Sequence, residues 1–481
     1  MGANLPEIPD SKPRQDIAGT NGKLSALGND FKPSSIATSA NDSGDLWRLG
    51  SIAVVLAFLV APLGNFANAI ALAVLLVAAL QVILTSAGHG PAAQDVNRVL
   101  IFLAATIVLI AALEILNPNI PTLQVGLIGF RKSATFLLGV IIGLGWLGNP
   151  VRALRLTWWC SYATAMISLV VHFALPSLEG LIKRTAGEAT AMIGDSAGFS
   201  YRMQGLLAGP FHVSLLGAFL FLSALTPGVV ASRVLRLSAA GVGLACVLAA
   251  GVRAGFASVV VGVIIIGFYS WSVSQFVRRM LALVAFSTLG LIVRDPIIEF
   301  ARKLPAIRFT IDHGLQDKRF TGRFQSWSKA LDMIQRSPLF GNGSGSSGDT
   351  LEQYFARSDF VVSHNAFLKY FVEGGIIQGI LFVLLCIGLA FAIRPSRDST
   401  RLGLAAGIPM LSFATTGSAV EAIPVSLGLA IILGLCARGL PAAVGGPVGL
   451  PRIAALPASR PERFITRGSW NASASPNRGT K

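Results

Sequence analysis

From Leu46 to about residue 440 the chain is a succession of apolar runs separated by short polar breaks. A bilayer core takes roughly 20 mostly apolar residues per helix. Lipid offers no partner to an unpaired N–H or C=O, so such runs must close their hydrogen bonds internally, as helices. Of the 481 residues 53% are hydrophobic and 13% charged, whereas about a quarter are charged in a soluble domain. These features predict an all-α polytopic membrane protein. Twelve runs are centred near residues 56, 76, 107, 141, 166, 219, 243, 263, 286, 382, 409 and 430, the first pair divided around Pro62 to Asn65 and the last around Gly417 to Pro424. No internal repeat is visible, which weighs against a transporter built from inverted halves.

Residues 1 to about 45, rich in Ser, Asn, Asp, Gly and Lys, and residues 441 to 481, rich in Pro, Ala, Gly, Ser and Arg, are expected to be loose tails. The first apolar run begins near Leu46, too far in for a secretory signal. The net charge of +16 is spread in small clusters between apolar runs, without the basic stripe and interleaved aromatics that would read as nucleic-acid binding. Cys160, Cys246, Cys386 and Cys436 all fall inside apolar runs and read as small core hydrophobes.

Basic residues in short loops set orientation. The loops after spans four, six, eight and ten carry Arg152 and Arg155, Arg233 and Arg236, Arg278 and Arg279, then Arg394, Arg397 and Arg401. These loops are expected in the cytoplasm, together with both termini. The long connection from 294 to 365, between spans nine and ten, is then on the outer face. Arg131, Lys132, Arg202, Arg253 and Arg323 fall on that face too, against the rule, and point either to an anionic ligand or to lipid headgroups.

Within the outer loop, Thr321 can cap an amphipathic helix over 321 to 336, with Phe324, Trp327, Leu331 and Ile334 at helical spacing and Pro338 after its end. The stretch GNGSGSSGD, 341 to 349, lacks the Lys-Ser/Thr pair of a phosphate loop and reads as a flexible connector. Next comes VVSHNAFLKYFVEGG, 361 to 375, at the outer mouth of span ten. Ser363 is a plausible N-cap there, and His364 sits either idle in a first turn or facing an outer cavity. Glu373, roughly 14 Å further along the helix, is expected to pair with one of the arginines.

The segments GRFQSWSKALDMIQRSPLFGNGSG, 322 to 345, and SHNAFLKYFVEGGIIQG, 363 to 379, resemble the signature of the bacterial O-antigen ligase and polysaccharide polymerase family. The shared pattern is an Arg, a Trp four residues on, a helix ending in Pro-Leu-Phe-Gly-x-Gly, then His-Asn and an acid-glycine pair. RMQGLLAGPF, 202 to 211, and GVRAGFAS, 251 to 258, look like that family's other arginine segments. At Gln378 the family usually has a small residue, with Gly379 displaced by one.

The resemblance implies an inverting glycosyltransferase in the bacterial inner membrane, moving a glycan from undecaprenyl diphosphate to a hydroxyl of a glycan or lipid A-core acceptor. Arginine suits a lipid diphosphate leaving group, because its planar fork stays charged and grips phosphate oxygens in pairs. Arg202, Arg253 and Arg323, with Arg131 as a weaker candidate, are the expected clamp, and His364 the base, an imidazole able to accept a proton near neutral pH. Asn365 either orients His364 or binds a sugar hydroxyl, and Trp327 either stacks on a sugar or packs its helix. His212 is the rival base. No cofactor is expected, since the donor is already activated, and no metal, since the outer segments show no carboxylate cluster of ligand type. Repeat-unit polymerisation and transfer to a protein hydroxyl share the signature, and a lipid-linked oligosaccharide flippase is the reading from another class.

Overall fold

A computed structural model of the protein describes residues 43–63, 65–87, 95–146, 148–185, 202–226, 232–270, 318–347, 361–393 and 397–439, with isolated helical positions between 274 and 299. The tails expected to be loose and the ninth expected span lie outside these residues, apart from the first turn of the first helix. The helices in order are α1 Ser43–Val60, α2 Asn65–Ala87, α3 Asp95–Leu113, α4 Leu123–Leu144, α5 Pro150–Ala174, α6 Pro176–Thr185 and α7 Pro210–Ala224. They continue as α8 Arg233–Ala250, α9 Arg253–Ser270, α10 Lys318–Arg336, α11 Ala366–Ala392, α12 Arg397–Thr416 and α13 Val425–Arg438.

Every expected span centre except the one near 286 falls within one of these helices. Among the described residues six helices are long and apolar enough to cross a membrane, namely 68–86, 96–116, 123–144, 150–174, 233–250 and 366–392. The apolar helices at 49–60, 210–224, 253–269 and 425–438 are shorter. α12 falls in neither group; its first turns carry Arg397, Asp398 and Arg401 and its interior carries Pro409. Leu59, Leu84, Phe102, Phe173, Val234 and Phe391 are exposed. Large apolar side chains turned outward all round a bundle belong in lipid, and the chain is an integral membrane protein.

The bundle is organised on α4. Its apolar window is 83% buried, against 28% for those of α2, α3 and α8. α4 meets α13 along a seam of small residues: a methyl at Gly143 would come within 2.4 Å of Ile431 O, and one at Gly139 within 2.8 Å of Ala430 Cβ. In lipid, where hydrophobicity gives helices little reason to associate, close backbone approach through small residues supplies the packing energy. The four cysteines are free thiols, buried or half-buried.

α11 is broken in the middle. Gly374 (φ −122°, ψ 22°) and Gly375 (φ 70°, ψ −169°) leave helical geometry, and only glycine adopts the latter readily. The break frees backbone groups, and the segment from Pro338 to Ser347 takes them up. Asn342 N donates to Val372 O (2.8 Å), Gly343 N to Glu373 O (2.9 Å), and Ile376 N to Pro338 O (2.7 Å). The same segment is tied to α3 and the turn after it by Ser344 Oγ to Ala111 O (2.6 Å) and Ser344 N to Glu114 O (3.0 Å). Gly341 and residues 343–347 are buried. The segment read as a flexible connector is therefore, over 341–347, a packed wedge. Its glycines at 341, 343 and 345 all have positive φ, which lets backbone N–H groups rather than side chains face the broken helix.

Gly375→Ala should cost more than about 2 kcal/mol, from left-handed strain and from a methyl 2.3 Å from Leu339 O. Gly322→Ala in α10, with nothing near its added methyl, should be neutral or stabilise by up to about 1 kcal/mol. Thermal unfolding of the detergent-solubilised variants reads both; equal midpoints would remove the wedge as a structural requirement.

Candidate functional site

The mouth of α11 is set by its cap. Asn365, in extended geometry, accepts from Phe367 N (2.9 Å) and Leu368 N (3.1 Å) through its side-chain oxygen, and its Nδ2 donates to Thr415 O (3.4 Å) at the end of α12. Asn365, rather than Ser363, is the N-cap, because its carboxamide can stop the helix and tie it to α12 at once. With that carboxamide so engaged, Asn365 fixes the turn rather than orienting His364. Ser363 braces from the other side, donating to Asn365 O (3.1 Å) and accepting from Ser347 Oγ (2.9 Å). Between them His364 has φ +46°, the non-glycine residue with positive φ among those described. Histidine is one of the residue types that tolerate this region.

His364 is half-buried. Burial first, and then the positive charge of Arg323, push its imidazole down to about 4 against the opposing charge of Glu421. Arg323 and Trp327 lie on α10, half-buried, with Phe324 edge-on to Trp327 at 5.3 Å. α10 rests on the N-terminal half of α11 through Ala330, Met333, Val361 and Val372. The contact face differs from the expected apolar stripe: Phe324 and Leu331 are exposed, while Ala330 and Met333 are buried. Val361 and the first turns of α11 receive this helix, and small or unbranched residues suit so close an approach.

Glu373 pairs with Lys369, not with an arginine. Lys369 Nζ lies 2.5 Å from Glu373 Oε1, 2.8 Å from Glu421 Oε1 and 3.0 Å from Ser347 O. Glu373 also accepts from Ser133 Oγ (2.8 Å) and Gly345 N (3.1 Å). Lysine at i and glutamate at i+4 share a helix face, so the nearest cation was in the same helix. Lys369 is fully buried and Glu373 and Glu421 nearly so. Arg131 is half-buried on α4, beside the buried Lys132 and two residues before Ser133.

Arg202 is buried in the turn before α7, and Arg253 is exposed at the start of α9. Met203 N donates to Ala249 O (3.1 Å), which brings the two arginine segments together. Phe211 packs edge-on against Phe413 of α12 at 6.3 Å, two residues before the Thr415 carbonyl that receives Asn365. The His364 turn and the Arg202 and Arg253 segments thus gather around the same end of α12. His212 is buried in the first turn of α7, and His172 bonds Glu179 through Nδ1 (2.9 Å); His89 and His313 lie outside the described residues. A cavity of about 440 Å3 begins beside this end, at Phe367 and Val420, and is lined further along α11 and α12 by Phe382, Leu389, Ile408 and Leu411.

Residues 238–383 match the O-antigen ligase family. The match spans less than half of the chain, and over that span the protein is similar to the O-antigen ligase family. No curated protein matches the chain. The O-antigen ligase match takes in Arg253, Arg323, Trp327, His364, Asn365 and Glu373, and begins after Arg131 and Arg202.

At Gln378, where the matched segment departs from the family pattern, the side chain fills the break: it lies against Gly374 and donates through Nε2 to Ile107 O of α3 (3.3 Å). Sequence reasoning missed Lys369, Glu421, Ser133 and Glu179. The i, i+4 spacing of Lys369 and Glu373 within an apolar run was a usable signal; Ser133 and Glu421 are distant in sequence and gave none. Lys369→Met should destabilise the fold by about 3–5 kcal/mol, because two carboxylates lose a buried cation. An unchanged unfolding midpoint would show that the carboxylates do not depend on it.

Proposed function

We propose that the protein is a membrane glycosyltransferase that moves a glycan from a polyprenyl diphosphate to an acceptor sugar hydroxyl on the outer face of the inner membrane. The observation that carries this reading is His364: a half-buried imidazole held neutral on a fixed left-handed turn, with Arg323 in electrostatic reach. The family match supplies the reaction class. On this reading both termini face the cytoplasm and the mouth of α11 faces outside, which the basic short loops support.

In the proposed step His364 takes the proton of the acceptor hydroxyl as its oxygen bonds to the anomeric carbon. The bond from that carbon to the diphosphate breaks on the opposite face, so configuration inverts. The diphosphate leaves with the electron pair and its charge is met by Arg202, Arg253 and Arg323, with Arg131 further along α4. Arginine clamps on a departing phosphate stabilise charge where it develops. No energy-rich cofactor enters, and the arginines carry the charge that a metal carries elsewhere. Trp327 is placed to shield or stack on the sugar. The apolar cavity between α11 and α12 suits the lipid part of a substrate.

Donor binding also arms the base. Burial, and after it the charge of Arg323, hold the imidazole low; a diphosphate beside Arg323 offsets that charge and lets the pKa rise toward the working range, where a general base is most effective. A glycan acceptor makes the protein a polymerase and a lipid A-core acceptor makes it a ligase. A second reading, translocation of the same lipid without transfer, draws on the break in α11, since discontinuous helices line transporter sites. A new glycosidic bond in the product, followed by mass spectrometry with and without lipid A-core, separates all three.

His364→Ala should lower turnover by about 10²–10⁴-fold while donor binding persists; wild-type turnover in that variant would remove His364 as the base. For pH, the neutral imidazole is the active form and is lost as pH falls through its pKa. The acid limb of kcat/KM, which reports free enzyme, should lie near pH 4, and that of kcat at higher pH. Arg323→Ala removes a charge that lowers the pKa, so its kcat/KM limb should move up in pH. A limb that stays in place would detach Arg323 from His364.

A further inference from the structure

Glu179 is a buried carboxylate that the proposed reaction does not use. It sits on α6, the short helix after α5, and is 4% exposed. A carboxyl group so far from water needs partners around it, and two of them come from one turn. Glu179 Oε1 accepts from Gln204 N (2.7 Å) and from Gly205 N (2.8 Å), while Oε2 receives His172 Nδ1 (2.9 Å). Two successive backbone N–H groups therefore converge on one oxygen, in a turn opened by Gly205 at φ +60°. Such a concave pair of N–H groups is a natural anion seat, and here the protein fills it with its own carboxylate.

The turn so held is the one that carries Arg202. Other bonds fix it from the flanks: Leu206 N to Ser168 Oγ of α5 (3.1 Å) and Met203 N to Ala249 O of α8 (3.1 Å). Gly205 packs so closely on Ser168 that a methyl there would lie 2.3 Å from Ser168 Cβ. Without Glu179, the two N–H groups would be left in a buried site with no charged acceptor, and the turn would have to open to reach water.

We propose that Glu179 is a positioning residue for the donor site: its carboxylate, gripping the backbone of Gln204 and Gly205, presets the turn that aims Arg202 at the lipid diphosphate. The inference rests on the reading of Arg202 as a diphosphate ligand. Glu179 touches neither donor nor acceptor, and acts by removing the freedom that Arg202 would otherwise lose on binding.

The test uses the purified full-length chain with a polyprenyl-diphosphate-linked glycan, and measures KM for donor and kcat separately in wild type, Glu179→Ala, Glu179→Gln and Arg202→Ala. Glu179→Ala should raise donor KM by between about tenfold and 100-fold, the scale of a displaced binding group, with kcat at saturating donor nearly kept. Glu179→Gln should recover most of the loss, because its amide oxygen still accepts both N–H groups. A scaffold role alone would instead lower the active fraction and leave KM unchanged. If Arg202→Ala raises KM and Glu179→Ala does not, the proposal is overturned and the Arg202 assignment stands. If neither raises it, the diphosphate reading of Arg202 falls and the proposal with it. Should Glu179→Ala fail to fold, Ser168→Ala, which releases only Leu206 N, decides: a smaller rise in KM supports the proposal, and a normal KM overturns it.

Discussion

The backbone break at Gly374–Gly375 is the constraint on which the rest of the site depends. An interrupted helix in an apolar setting leaves carbonyl and amide groups that cost several kcal/mol each when unpaired. The wedge from Pro338 to Ser347 supplies the missing partners to Val372, Glu373 and Ile376. Break and wedge therefore require one another. With the wedge seated, α10 must lie against the N-terminal half of α11, and with α10 come Arg323 and Trp327. The geometry around His364 follows from satisfying three backbone groups several residues away.

The same wedge anchors the buried charges. Gly345 N and Lys369 share one oxygen of Glu373, Ser133 takes the other, and Ser347 O receives Lys369. Buried ion clusters add little net stability relative to apolar packing of the same shape, but breaking one partner is costly. Their value here is in specification. Three segments far apart in sequence, the wedge, α11 and the 419–421 turn with Glu421, are held in one register by a cation with three fixed acceptors, and α4 joins them through Ser133. The His364 turn is then braced from below by Lys369 and from the side by Asn365 on α12.

Much of this was legible in the sequence where a single physical period governs. Apolar runs of bilayer length gave the helices, and the Arg-to-Trp helix, the Pro-Leu-Phe-Gly segment and the His-Asn pair pointed to the family. What could not be read depended on partners distant along the chain. GNGSGSS looks like a linker in composition; only a broken helix opposite it explains why its N–H groups are buried. Asn365 and Ser363 are both good caps, and the choice between them was made by Thr415, fifty positions away. Glu373 was assigned to an arginine on the strength of shared side, whereas helix periodicity alone would have given Lys369. The pattern Phe324, Trp327, Leu331 and Ile334 marks an amphipathic helix, yet it is Ala330 and Met333 that pack on Val361 and Val372, while Phe324 and Leu331 stay exposed.

One consequence of the wedge concerns water. α10, the segment from 338 to 347 and the N-terminal half of α11 are joined by backbone hydrogen bonds and a shared apolar patch, so they form a single block. On the proposed reading, if α10 lifts as a lid to admit a lipid-linked sugar, it cannot lift alone; it draws His364 away with it. The base then reaches its working place only when the lid is down and solvent is shut out. An activated glycan entering an open vestibule would meet water but no base, and wasteful hydrolysis would be suppressed by the way the lid is fastened rather than by any residue devoted to the purpose.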